Sequence, residues 1–189
     1  DASAAHLLCD RHDPAAVAFR LVEPDYTSTD LTYGQLADES RRVAAVLRTE
    51  GVKAGDKVPV LLGKRRGLVV TLLALSRLGA VQVPLFTAFA TGAIALRVEG
   101  SQAELVITAA SQRDKVDPLS QVRVLDVDDL LARAAQTEPL AEDVAIGGEG
   151  TLVQLYTSGT TGNPKGVPVP LRCLASFQSY LHYSLDVAA

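Results

Sequence analysis

Apolar and polar positions alternate along the chain in a way that predicts strands and helices in turn. Val17-Ala18-Phe19-Arg20-Leu21-Val22 predicts a strand, and Glu23 to Asp30 a polar turn. Tyr33, Leu36, Ala37, Ser40, Val43, Ala44 and Leu47 recur at helical spacing. Thr32 and Gln35 form a capping box at the start of that helix, and Gly51 is its natural stop. Lys57 to Leu62 predicts a strand, with Pro59 placed at an edge or a strand start. Leu68 to Leu78 is apolar nearly all round, which predicts a deeply packed helix ended by Gly79. Val81 to Phe86, Leu105 to Thr108 and Val122 to Val127 read as further strands. A helix over Thr91 to Glu99 lies between the first two, with Ile94, Leu96 and Val98 among its apolar residues. Residues 111–119 are polar, with one helical turn expected. Asp128 or Asp129 is expected to cap a helix through Ala135. Strands alternating with helices predict an α/β fold, a mainly parallel sheet flanked by helices.

The two ends of the chain are less regular. Residues 4–12 predict a short helix with Leu7 and Leu8 inward, ended by Pro14. His6, His12, Asp10 and Asp13 cluster there, and a solvated helix end explains them better than a metal or acid–base site. Thr137 to Gly150 is acidic and glycine-bearing and reads as a linker. It divides an α/β subdomain, 1–136, from a strand, loop and helix over 151–189. Thr151 to Leu155 predicts the strand. Pro168 and Pro170 lead into a helical pattern, with Pro170 suited to a first helical position. Leu171, Leu174, Ala175, Gln178 and Leu181 trace its expected face. His182 reads as a surface residue rather than a catalyst.

Composition narrows the class. The chain has 189 residues, 48% hydrophobic and 21% charged, with a net charge of -4. That fits a globular domain with its own core. Lys and Arg form no long run, which argues against nucleic acid or an anionic membrane as the main partner. No apolar run reaches the length of a membrane span. Asp1-Ala2-Ser3 is neither an initiator Met nor the start of a signal peptide, so the natural start is expected elsewhere. Cys9 and Cys173 match no disulfide or zinc spacing and read as reduced, buried thiols of a cytoplasmic protein.

The chemistry concentrates in Tyr156-Thr157-Ser158-Gly159-Thr160-Thr161-Gly162-Asn163-Pro164-Lys165-Gly166. Four hydroxyls (Thr157, Ser158, Thr160, Thr161), the loop amides and the Lys165 cation suit a polyphosphate, because turn amides form an anion-binding concavity. Glycines let a ligand approach the backbone. The spacing is not a Walker loop: Asn163-Pro164 separates Gly162 from Lys165, and Gly166 stands where Ser or Thr would. A Rossmann G-x-G-x-x-G is absent too. The Gly63-Lys64-Arg65-Arg66-Gly67 cluster offers a second phosphate contact, but a solvated turn accounts for it better.

Composition alone would leave the long motif a Gly/Thr-rich surface loop. Its ordered residues resemble the phosphate-binding signature YTSGTTGxPKG of the adenylate-forming superfamily at every fixed position. That superfamily includes acyl-CoA synthetases, peptide-synthetase adenylation domains and luciferases. Leu31 to Leu36 resembles its "LTYxEL" helix, Gly51 to Val58 its "GVxxGDRV" turn, and Leu78 to Leu85 its "xGAVxxPL" segment. His6 to His12, Phe86 to Phe89, Ile94 to Ser101 and Leu105 to Thr108 are most similar to acetyl-CoA or medium-chain acyl-CoA synthetases. Gly166-Val167-Pro168-Val169-Pro170 departs from the family's "GVxxTH". The adenine- and ribose-binding motifs, acyl pocket, hinge and C-terminal domain with its catalytic lysine are not found in the chain. It therefore looks like the first part of a longer synthetase, inactive alone.

The resemblance implies an AMP-forming acyl-CoA synthetase of a short- or medium-chain carboxylic acid. Its alternatives are an adenylation domain that loads a carrier protein and a non-catalytic nucleotide-phosphate-binding module. It implies ATP, Mg2+ and CoA, with Lys165 as the catalytic cation. Thr157, Ser158, Gly159, Thr160, Thr161, Gly162, Asn163, Pro164 and Lys165 would form the phosphate site, Asn163 and Pro164 shaping the turn. Arg113 and Lys115 lie near the positions that touch the CoA nucleotide in relatives, though a surface turn explains them better. No protein metal ligand is expected.

Overall fold

The Thr32 side chain accepts from the Gln35 N–H at 3.2 Å, and the Thr32 N–H donates to the Gln35 side chain at 3.0 Å. This capping box starts α1 (Tyr33–Thr49) where the sequence expects it. Its buried face carries Leu36, Ser40, Val43, Ala44 and Leu47, with Ala45 and Val46 beside them. The computed structural model describes residues 3–23, 25–157 and 164–185.

Two strands precede the main sheet. β1 (Val17–Val22) and β2 (Ser28–Thr32) pair antiparallel, so the expected polar turn is shorter than 23–30. Ser28 to Asp30 form ladder instead, with Arg20 and Asp30 opposite each other and bonded through two contacts of 2.7 and 2.9 Å. A mostly solvated two-stranded ribbon carries little apolar alternation, so its second strand is silent in the pattern. The segment before it is a five-residue π-type helix, His6–Asp10. Its wider turn, closed by the Arg11 N–H on the His6 carbonyl, faces Ala5 and Cys9 inward and leaves Leu8 exposed.

The main sheet has strand order β6-β5-β3-β4-β7-β8. Its strands are β3 (Lys57–Leu61), β4 (Val81–Pro84), β5 (Leu105–Thr108), β6 (Arg123–Asp126), β7 (Thr151–Thr157) and β8 (Lys165–Pro170). All neighbours are parallel except β7 and β8. Helices α2 (Arg66–Arg77) and α4 (Val127–Ala134) join α1 on one face. Val43, Leu47, Val60, Leu75, Ile107 and Leu130 form the core there. Helix α3 (Thr91–Ser101) covers the other face, where Leu61, Leu85, Ile94, Val98 and Val106 meet. Val60 and Leu61 thus point to opposite layers, as the two-residue period of a strand requires.

Several expectations change in this frame. Pro59 lies on an interior strand, not an edge; the β5 ladder begins one residue later, at Val60. The cap of α4 is Asp126, whose Oδ1 accepts from the Asp128 and Asp129 N–H groups. Leu96 is exposed, leaving Ile94 and Val98 to anchor α3. Pro168 and Pro170 belong to β8, whose edge position tolerates residues without an N–H. Helix α5 (Cys173–Leu185) starts after them, and Gln178 and Leu181 are exposed on it. Leu171 is buried ahead of the helix, beside Ala4 and Leu152.

Residues 137–150 are irregular but fastened down. The Leu140 N–H donates to the Arg41 carbonyl at 3.1 Å and the Val144 N–H to the Arg77 carbonyl at 2.7 Å. Gly79, at φ +66°, ends the α2 turn, and a Cβ there would also stand 2.9 Å from Val144 and Ile146. Arg77 is fully buried and donates to Asp10, Asp143 and Ser40 at 2.7–2.9 Å. One side chain therefore ties the amino-terminal segment and the 137–150 strap to α1 and α2. Burial pulls the Asp10 carboxyl upward, but Arg77 and Arg41 outweigh it and hold it at about 2.

Candidate functional site

β7 is parallel to β4, with Gln82 opposite Val153, so the carboxyl ends of β3, β4 and β7 lie along one edge of the sheet. The chain leaves that edge at Thr157 and returns at Lys165, which are ladder partners. An antiparallel pair holds its Cα atoms about 4.5–5.5 Å apart, so a hydroxyl and an ammonium stand together at the neck of the hairpin loop. Both residues are exposed, and Pro164 is half-buried beside them. Ser158, Gly159, Thr160, Thr161, Gly162 and Asn163 lie outside the described residues. Of the expected site, Thr157, Pro164 and Lys165 are therefore seen, and they are brought together.

The motif's first and last residues have a different part. Tyr156 and Gly166 are ladder partners just behind the neck. The side chain of Gln154, buried on the α3 face, donates to the Tyr156 hydroxyl at 2.9 Å. Burial, the largest influence, pushes the Tyr156 phenol pKa up, against the pull of Gln154 and Arg97. Arg97 and Gly100 of α3 approach the same ring. None of these three partners was singled out for the site from the sequence. A polar Gln within the apolar run Leu152 to Leu155 was the one signal available.

The other candidate cations are engaged elsewhere. Arg65 pairs with Asp128 on α4 and Arg66 with Glu39 on α1, which supports the turn reading of that basic cluster. Arg113 pairs with Asp117 at 3.0 Å, and Lys115 Nζ donates to the Thr87 carbonyl at 2.6 Å. Both residues thus have partners within the protein, in keeping with the surface turn preferred for them. Asp10 is held by Arg77 and Arg41, and His12 stacks on Tyr33 at 4.4 Å. Cys9 is buried, and that burial, with the Asp10 charge, pushes its thiol up to about 11. Cys173 is only half-buried, against the expectation of two buried thiols. His182 is exposed on α5, edge-on to Tyr183.

A cavity of about 290 Å3 opens at the opposite, amino-terminal edge of the sheet, lined by Glu50, Asp56, Lys57, Gln102 and Arg123. Glu50 there is consumed by Arg133 and Arg123, at 2.5 and 2.9 Å. The hydroxyl and ammonium at the Thr157–Lys165 neck suit an anion.

An open, mostly parallel sheet with helices on both faces and an exposed lysine at its carboxyl edge is an α/β architecture, in which ligands are commonly received at the carboxyl ends of the strands. The chain belongs to the AMP-binding enzyme family, whose model matches residues 9–187. It is thus an adenylate-forming enzyme sequence, matching the amino-terminal part of its relatives. It is 35% identical over 198 residues to an acetyl-coenzyme A synthetase of Caulobacter vibrioides, covering 84% of this chain and 29% of that one. It is 34% identical over 157 residues to tyrocidine synthase 2 of Brevibacillus parabrevis, covering 83% of this chain and 4% of that one. Among solved structures, an acyl-CoA synthetase of Brucella canis superposes with a TM-score of 0.92 at 36% identity, covering 99% of this chain and 36% of that one. The chain thus spans less than a third of the curated relatives it matches here. Among the described residues, no helix is long and apolar enough to cross a membrane.

Proposed function

We propose that this chain supplies the triphosphate-gripping part of an AMP-forming acyl-CoA synthetase for a short- or medium-chain carboxylic acid. The observation that carries the reading is the Thr157–Lys165 pair at the neck of a glycine- and hydroxyl-rich loop on the carboxyl edge. In the whole enzyme a carboxylate oxygen attacks the α-phosphorus of ATP, the bond to the β-phosphate oxygen breaks, and pyrophosphate leaves. The thiolate of CoA then attacks the acyl carbon and AMP departs. Carboxylate and triphosphate repel, so the site must neutralise charge and hold both groups in line. Lys165, with the hydroxyls and amides of 157–162, does this for the β- and γ-phosphates. Mg2+ supplies further charge neutralisation when bound. The reaction uses cytoplasmic ATP and CoA, which sets the proposed location.

The experiment is carboxylate-dependent exchange of pyrophosphate into ATP by the full-length protein. Exchange with a small acid is expected, and no exchange across a broad acid panel overturns the reading. The likeness to tyrocidine synthase 2 favours a second reading, an adenylation domain that loads a carrier protein. Release of a CoA thioester by the same preparation separates the two.

A further inference from the structure

Helix α3 packs near the β7–β8 hairpin, and two of its residues, Arg97 and Gly100, approach the Tyr156 ring. The guanidinium carbon of Arg97 lies 4.2 Å from the ring centre of Phe89 and 6.0 Å from that of Tyr156. Its Nη1 donates to the Ala93 carbonyl at 2.7 Å, which fixes the side chain along its own helix. The far edge of the Tyr156 ring is held by Gln154. Two glycines make room for this arrangement. A Cβ on Gly100 would stand 3.1 Å from the Tyr156 hydroxyl, and one on Gly166 would stand 2.6 Å from Gln154 Nε2. Phe89 belongs to the connection between β4 and α3, which Lys115 secures on its other side through the Thr87 carbonyl.

At its base the hairpin is held by the ladder to β4 and by Leu152 packed with Ala4 and Leu171; toward the neck, fewer of the described residues cover it. β8 is an edge strand with two prolines, and Leu155 and Val167, ladder partners on the other face, are exposed. A cation between two aromatic faces is attracted by both ring quadrupoles. Tyr156 immediately precedes Thr157, so whatever fixes the ring also fixes the neck.

We propose that Arg97 is a positioning residue, a latch between the Phe89 and Tyr156 rings that sets the Thr157–Lys165 neck against the carboxyl edge of the sheet. The proposal rests on the reading of that neck as the triphosphate site. Arg97 touches no substrate; it acts through Tyr156.

The test uses the full-length protein and three variants, Arg97→Ala, Arg97→Met and Arg97→Lys. Amide hydrogen exchange is followed by mass spectrometry in peptides covering 151–157 and 164–170. Arg97→Ala and Arg97→Met are expected to speed exchange there about tenfold, with peptides from α1 and α2 unchanged, while Arg97→Lys stays near wild type because it keeps the cation. In pyrophosphate exchange, the first two variants are expected to raise KM for ATP about tenfold, with kcat changed less than twofold and KM for the acid unchanged. Unaltered hairpin exchange in Arg97→Ala overturns the latch. So does Arg97→Met behaving as wild type, which would make the contact mere packing. Faster exchange throughout α1 and α2 also overturns it, because Arg97 would then support the whole fold. If the wild-type protein shows no pyrophosphate exchange, the function reading fails, and the hydrogen-exchange comparison still decides the latch.

Discussion

The two ends of the main sheet are built to different standards. From β6 to β4 both faces are covered, and Val58, Val60, Leu61, Val83, Val106 and Ile107 are all buried. At β7 and β8 the α1–α2–α4 layer has run out. Leu155 is 44% exposed and Val167 42%, and α5 buries none of its described residues. Polar groups divide the same way. In the covered half Arg65, Arg66, Arg77 and Arg123 each meet a carboxylate. At the hairpin neck Lys165 is exposed beside a hydroxyl. Charges paired inside a scaffold hold it together, whereas a charge left at a loop can receive a ligand.

That contrast can be broken most directly at Arg77. Arg77→Ala leaves Asp10 and Asp143 without their buried partner and is expected to cost about 3–5 kcal/mol. Urea unfolding of the full-length protein measures it, and a loss below about 1 kcal/mol would mean the cluster is not the fastener it looks like. Next in size is Lys165→Ala. If Lys165 grips the phosphates as proposed, its loss should lower pyrophosphate exchange about 100- to 1000-fold, with the urea midpoint unchanged. A variant that keeps its rate would place the chemistry elsewhere.

Acid sharpens the comparison on a smaller scale. The Asp10 carboxyl is depressed to about 2 in the folded protein, below its ordinary value near 3.8. Its ion pairs therefore contribute fully above pH 4 and are lost as the pH falls toward 2, a change of about 2 kcal/mol. Arg77→Met should flatten that acid limb in pH-dependent unfolding; an identical limb in both proteins would assign the acid sensitivity to other carboxylates. The smallest effect is at the α4 cap. Asp126→Ala removes the acceptor of two backbone N–H groups and should cost about 1 kcal/mol of stability, with pyrophosphate exchange unchanged.

The elements of the covered half were largely legible in the chain. Capping box, helical spacing and continuous apolar runs are local signals, and they placed α1, α2 and β5 closely, as well as the start of β7 beyond that half. The motif from Tyr156 to Gly166 was legible as order of residues, and its ends do come together at one neck. Less was visible where meaning depends on a partner far along the chain. Pro168 and Pro170 looked like helix leaders until β7 supplied a ladder for them as an edge strand. Asp128 looked like a cap, yet it pairs with Arg65, and Asp126 does the capping.

The amino-acid order by itself therefore determined which segments are strands and helices through most of the chain, and it singled out the eleven residues, Tyr156 to Gly166, on which the proposed phosphate chemistry rests. The elements are written in near-neighbour periodicity; the motif is written in its residue order, which resembles a family signature and which composition alone would have left a surface loop. The tertiary structure decided which cations are neutralised, that residues 137–150 are strapped down through Arg77, and that Arg97, Gly100 and Gln154 converge on Tyr156. Apart from Gln154, two residues from Tyr156 on its own strand, those outcomes depend mostly on side chains tens of residues apart in the chain, and no local pattern encodes such a meeting.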